Sequence, residues 1–245
     1  MKFKRNPACV LALTLGATLG PAVGAVVLDQ IGDVGTYNFQ AAPGPTPSQI
    51  FTDFSGYDTA VIEDFTVSAS DLKITNISAL FRAQGGYLQF QNVQGYALNF
   101  FSQSALAATS LTGDIASLLV LSGTGASVAQ VHGGGGEYGM VSLAVNVSLP
   151  AAGTYWVGVS PVSANSVTGQ FLLLNSGAAS SGNMNAKLAN PGEGFGLGAI
   201  SPLNLDYAYS VTAVPEPAAS ALVILGGFGW LCRHRRSTGS MKKPT

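Results

Sequence analysis

Alternation of apolar and polar side chains dominates the middle of this chain. Val141, Leu143, Val145, Val147 and Leu149 alternate with Ser142, Ala144, Asn146 and Ser148. A period of two puts one set on a buried face and the other in water, the pattern of a half-buried strand. Pro150 and Gly153 then turn the chain into Thr154, Tyr155, Trp156, Val157, Gly158 and Val159, so the two segments predict a hairpin. Near the end of this region Tyr207, Tyr209 and Val211 alternate with Asp206, Ala208, Ser210 and Thr212. Further strands are predicted over 60–68, 72–82, 87–93, 96–102, 117–121 and 170–175. No middle segment sustains a 3.6-residue apolar period. The nearest, 104–121, is interrupted by Thr109, Ser110, Thr112 and Gly113.

About eight to ten short strands with glycine-rich connections predict an all-β fold. The architecture expected is a single antiparallel two-sheet sandwich of jelly-roll type, spanning 26–213. Two stretches read as loops. One is the proline-rich 43–47; the other is 176–204, rich in Gly, Asn and Ser and long enough to be functional or mobile.

The ends follow a different pattern. Lys2, Lys4 and Arg5 precede an apolar run over 10–19, Pro21 breaks it, and Val23, Gly24 and Ala25 follow as small residues. That order predicts a secretory signal peptide over 1–25, cleaved after Ala25 and handled by the general secretion machinery. At the other end, Pro215-Glu216-Pro217 precedes an apolar stretch over 218–232 and a basic cluster at Arg233, Arg235 and Arg236. Fifteen residues of helix span roughly 22 Å at ~1.5 Å per residue, short of the ~30 Å hydrocarbon core. Arginines that snorkel and a bilayer that thins make it a marginal transmembrane span. The basic cluster, with Lys242 and Lys243 beyond it, predicts a cytoplasmic tail over 237–245.

The tail over 214–236 resembles the PEP-CTERM sorting signal of exported Gram-negative proteins. The resemblance rests on the order and spacing of Pro215-Glu216-Pro217, the short span and the arginines. It implies recognition of Pro215, Glu216, Pro217, Arg233, Arg235 and Arg236 by an exosortase-type membrane enzyme, which removes the tail. It also implies a precursor held transiently in the inner membrane, a mature form at the outer envelope or outside the cell, and a setting of exopolysaccharide and biofilm. The region between the ends is loosely similar to other exported bacterial β-sandwiches.

Charge narrows the partners. The whole chain carries a net −1, but eight of its eleven Lys and Arg residues lie in the two ends. Over 26–214 three basic residues, Lys73, Arg82 and Lys187, face eleven acidic ones, a net of −8. Such a surface repels phosphate backbones, which excludes nucleic acid as the expected partner. Both cysteines, Cys9 and Cys232, lie in the end segments, so the mature domain has no disulfide and must hold by burial.

Motifs for chemistry are sparse. His132 and the four glycines after it look like an oxyanion loop, but no Gly-x-Ser-x-Gly elbow occurs and the other histidine is His234. Gly194-x-Gly196-x-x-Ala199 has dinucleotide spacing, yet Pro202 interrupts the helix that a pyrophosphate would need. Asp53, Asp58, Glu63 and Asp64 could supply hard oxygen ligands to calcium near a strand end; solvation of a strand edge is the competing reading. Trp156 faces away from Tyr155, Val157 and Val159 and could stack on a sugar ring or pack against a loop. Glu63, Glu137 and Glu193 are the available glutamates for glycoside hydrolysis, with nothing that singles out an acid and a base.

The expectation is a non-enzymatic, cofactor-free matrix protein, structural or adhesive, with calcium as the one possible ion and exopolysaccharide as a partner. A carbohydrate-binding module is the alternative, and a secreted glycan-active hydrolase a more distant one. An exposed row of aromatics would favour the module; two carboxylates converging in a cleft would favour the hydrolase.

Overall fold

A computed structural model describes residues 24–37, 39, 44–68, 72–131, 138–176 and 183–215. Gly24–Val214 form one compact unit. In chain order its first strands are β1 (Ala25–Asp29), β2 (Thr46–Pro47), β3 (Ile50–Phe51), β4 (Ala60–Val67) and β5 (Leu72–Ala83). Next come β6 (Gly95–Phe101), β7 (Ala116–Leu121), β8 (Ala126–Gln130), β9 (Tyr138–Leu149) and β10 (Gly153–Ser163). A single helical turn, α1 (Asn165–Thr168), precedes β11 (Phe171–Leu173), β12 (Lys187–Ala189), β13 (Ile200–Pro202) and β14 (Tyr209–Pro215).

These strands form two seven-stranded sheets. In the first, β9 pairs with β5 from Leu72 to Arg82, so β14 and β11 share the other side of β5. Beyond them lie β1 and β2, and β8 closes the opposite edge on β9. The second sheet runs β13-β12-β4-β10-β6-β7, with β3 added parallel to the end of β10. The β1–β14, β4–β10, β6–β10, β2–β11, β5–β11, β12–β13, β4–β12, β5–β9, β6–β7 and β8–β9 pairs are antiparallel.

Period-two patterning decides which side chains meet between the sheets. From the second sheet come Val61, Phe65 and Val67 of β4, Tyr96, Leu98 and Phe100 of β6, and Tyr155, Val157 and Val159 of β10. They pack against Ile77, Ala79 and Phe81 of β5, Val141, Leu143 and Val147 of β9, and Tyr209 and Val211 of β14. All are buried, and burial of each aliphatic side chain contributes about 1.5–3 kcal/mol before conformational entropy is counted.

Two expectations need correction. The predicted strand over 87–93 is instead a pair of 3-10 turns, Tyr87–Asn92. Tyr87 and Phe90 stand three apart and meet at 5.5 Å with their rings tilted by 42°, and Phe90 meets Phe171 edge-on at 5.0 Å. Helical spacing of two aromatic anchors outweighs the short alternation there. The predicted loop over 176–204 contains β12 and β13, which extend the second sheet beyond β4. Each of those strands is three residues long, too short to show a period. The same brevity hides β2 and β3.

Candidate functional site

An aromatic cleft of about 380 Å³ lies at one end of the sandwich. Phe51, Phe54 and Tyr57 come from β3 and the turn that follows it. Gln84 and Gln170 come from the residues after β5 and before β11, Asn165 from the start of α1, and Phe195 from the β12–β13 loop. Phe54, Tyr57 and Phe195 are 53%, 44% and 45% exposed, far above what large apolar side chains need for packing. Tyr57 and Phe195 meet edge-on at 5.0 Å, and Phe51 lies 6.5 Å from Phe195 at 54°. Opposite the rings, the Gln84 amide donates to the Gln170 side-chain oxygen at 3.4 Å. No lining side chain is charged.

Backbone geometry fixes this arrangement. Phe195 has φ 58° and ψ 10°, a left-handed conformation that non-glycine residues rarely adopt. It is held there because its loop packs backbone to backbone on Gly56. A Cβ on Gly192 would lie 2.5 Å from the Gly56 carbonyl oxygen, and one on Gly194 would lie 2.6 Å from it. Asn190, fully buried, donates its side-chain amide to the carbonyls of Gly194 at 2.7 Å and Leu197 at 3.3 Å.

Two of the predicted calcium ligands brace the same cleft. Asp53 accepts from the Asn165 N–H at 2.9 Å, the Ser166 N–H at 3.1 Å and the Ser166 hydroxyl at 2.9 Å. Desolvation pushes its carboxyl up, but these donors together outweigh it and hold the carboxyl below the usual range. Asp58 accepts from the Phe51 N–H at 2.7 Å, which ties the turn back onto β3, and burial pushes its carboxyl up.

Glu63 and Asp64 work elsewhere. Glu63 points into the core and is fully buried. It accepts from the Tyr207 N–H at 2.7 Å and the Asp64 N–H at 3.2 Å, so one carboxyl group ties β4 of the second sheet to the segment that enters β14 of the first. Burial, reinforced by Asp206 and Asp64 nearby, pushes it up to about 8. Asp64 accepts from the Asn183 amide at 2.7 Å beside a hollow of about 370 Å³, and its other oxygen has no partner. Asp206 accepts from the Met184 N–H at 2.8 Å. The four carboxylates of the calcium expectation are thus split between two places. Among the described residues no three His, Cys, Asp or Glu side chains are placed to hold a metal ion.

Trp156 is half-buried on the outer face of the second sheet, against Ala60, Ile62, Phe101, Ala107 and Ala189. The Lys187 ammonium lies 5.9 Å from its ring centre, a cation–π contact. The exposed aromatic row therefore forms without it. Sequence reasoning passed over Phe54, Tyr57 and Phe195. Their only signal was three rings set among Ser and Gly, where no strand needs an apolar residue. Gly194–Gly196 form a 3-10 turn that leads into β13, not a helix N-terminus.

Ala25 begins β1 opposite Ala213, and Pro215 ends β14. Glu216, Pro217, Arg233, Arg235 and Arg236, the apolar 218–232 and the His132 to Glu137 run all lie outside the described residues. No helix among the described residues is long and apolar enough to cross a membrane. No protein-family model matches the chain, and neither a curated protein nor a solved structure is significantly similar to it.

Proposed function

We propose that this chain is an exported, non-enzymatic protein of the cell envelope or extracellular matrix that adheres to polysaccharide through the aromatic cleft. In this reading the signal peptide directs export and the marginal C-terminal span holds the precursor in the inner membrane. An exosortase-type enzyme then removes the tail. The jelly-roll-like sandwich is the delivered part. The observation that carries the reading is the cleft: three exposed rings, a carboxamide wall and no charge, on a backbone locked by glycine contacts. Sugar rings present apolar C–H faces to aromatic side chains and hydroxyls to amides, and a rigid site loses little entropy on binding. The alternative of a carbohydrate-binding module draws on the same observation, with the aromatic platform at Phe54, Tyr57 and Phe195 in place of Trp156. A hydrolase is not favoured, because Glu63 and Asp64 face opposite sides of β4 and Glu63 is sealed in the core.

Affinity electrophoresis of the full chain through gels containing the producing organism's exopolysaccharide tests this. Retardation by the wild type, lost in Tyr57→Ala and Phe195→Ala with melting temperature kept, is the expected result. Equal mobility with and without polysaccharide would overturn the adhesive role of the cleft.

A further inference from the structure

Residues of β1 in the first sheet and of β4 in the second border the hollow of about 370 Å³ beside Asp64. Its polar lining is Asp29, Gln30, Asp64, Thr66 and Asn183. Two of these side chains are more than nine-tenths buried: Gln30 is 2% exposed and Asp64 8%. The Gln30 amide donates to Asp206, and Asp64 takes the Asn183 amide on Oδ2 at 2.7 Å. That leaves Gln30 Oε1 and Asp64 Oδ1, both buried and both without a partner. A buried acceptor without a donor carries its full desolvation penalty, so two beside one hollow call for an occupant.

Charge decides what kind. Glu63, Asp64 and Asp206 lie close enough together for their charges to oppose one another. Every donor to them is neutral: the N–H groups of Asp64, Met184 and Tyr207 and the amides of Asn183 and Gln30. Asp29 adds another carboxyl at the exposed rim. A water molecule donates to the two oxygens but leaves the repulsion in place. A cation satisfies the oxygens and offsets the charge.

We infer that Gln30 Oε1 and Asp64 Oδ1 bind a hard divalent cation of the calcium type, with water completing its shell from the open side of the hollow. Calcium accepts amide oxygens beside carboxylates and tolerates irregular geometry, whereas magnesium demands a near-ideal octahedron. With so few protein ligands the affinity is weak, a Kd on the order of 1 mM. This is not the four-carboxylate site expected from the sequence. Asp53 and Asp58 brace the cleft, and both oxygens of Glu63 are already taken by N–H groups. One carboxylate ligand is enough here, so no cluster of three acids is required. The ion ties the end of β1 to β4, one strand from each sheet, and its binding does not depend on what the cleft holds.

Melting of the full chain in mild detergent at neutral pH tests this, with calcium chloride compared against sodium chloride of equal ionic strength. At about 10 mM calcium, a rise of roughly 3–6 °C over sodium is expected. Asp64→Asn, which keeps the shape and removes the charge, should abolish it. No rise, or an equal rise in both salts from screening of the net −8, overturns the proposal. So does a calcium response that Asp64→Asn retains. If Asp64→Asn fails to fold, amide hydrogen exchange of the wild type decides. Calcium must slow exchange at Gln30, Asp64 and Met184, and slowing confined to other places, such as Asp53 and its neighbours, counts against the site.

Discussion

Asp53 and Asp58 brace an open cleft, whereas Glu63 and Asp64, a few residues along, sit in or beside the core. All four fall within twelve residues of sequence. At the cleft, Asp53 gathers exposed N–H and O–H donors and Asp58 takes the Phe51 N–H, and together they fix the wall on which the aromatic rings stand. On β4, one carboxylate replaces an apolar residue between the sheets, and its neighbour on the opposite face meets Asn183. The same functional group therefore organises a surface in one region and joins two layers in the other. What differs is access to water, because burial penalises the charged form and exposure lets donors stabilise it.

The largest test of this contrast is pH. Glu63 titrates near 8 in the folded chain and at 4.5 as an ordinary side chain. Between those values the folded state holds a proton that the unfolded state sheds. Its stabilisation is fully present below about pH 4.5 and is lost as the pH rises through about 8, on the order of 5 kcal/mol. Asp206, raised by burial, acts in the same direction. Urea unfolding across this window should show the loss, and Glu63→Gln should flatten most of it.

Removing the link altogether comes next. Glu63→Ala leaves the Tyr207 and Asp64 N–H groups without acceptors and opens a void, which should destabilise by about 2–4 kcal/mol. Chemical denaturation at pH 6 measures it, and an unchanged midpoint would mean that the Glu63 carboxyl does not tie β4 to the segment entering β14. At the cleft, Gly194→Ala forces a Cβ against the Gly56 carbonyl and Tyr57, at a cost of about 1–3 kcal/mol. Retention by polysaccharide should fall with it, because the Phe195 ring moves. The smallest effect is expected from Asp53→Ala. It releases the first turn of α1, lowers the melting temperature slightly and weakens retention through Asn165.

Strands β9 and β14 could be read from alternation because each has enough residues to show a period and one less buried face. The same alternation puts Tyr155 in the core between the sheets and Trp156 on the opposite face. The three-residue strands β12 and β13 could not, since they exist only because β4 offers them an edge. Nor could the cleft. Phe195 stands 138 residues from Tyr57, and only the packing of Gly192 and Gly194 on Gly56 brings the two rings together.

Local chemistry in the chain was thus enough to specify strand periodicity, the acidic middle between basic ends and the absence of cysteine from the central domain. Those properties follow from residue order alone. Folding decided which carboxylates would face water and which aromatics would gather at one end. Those properties depend on contacts between residues far apart in sequence, and on solvent access that exists only after the two sheets have closed.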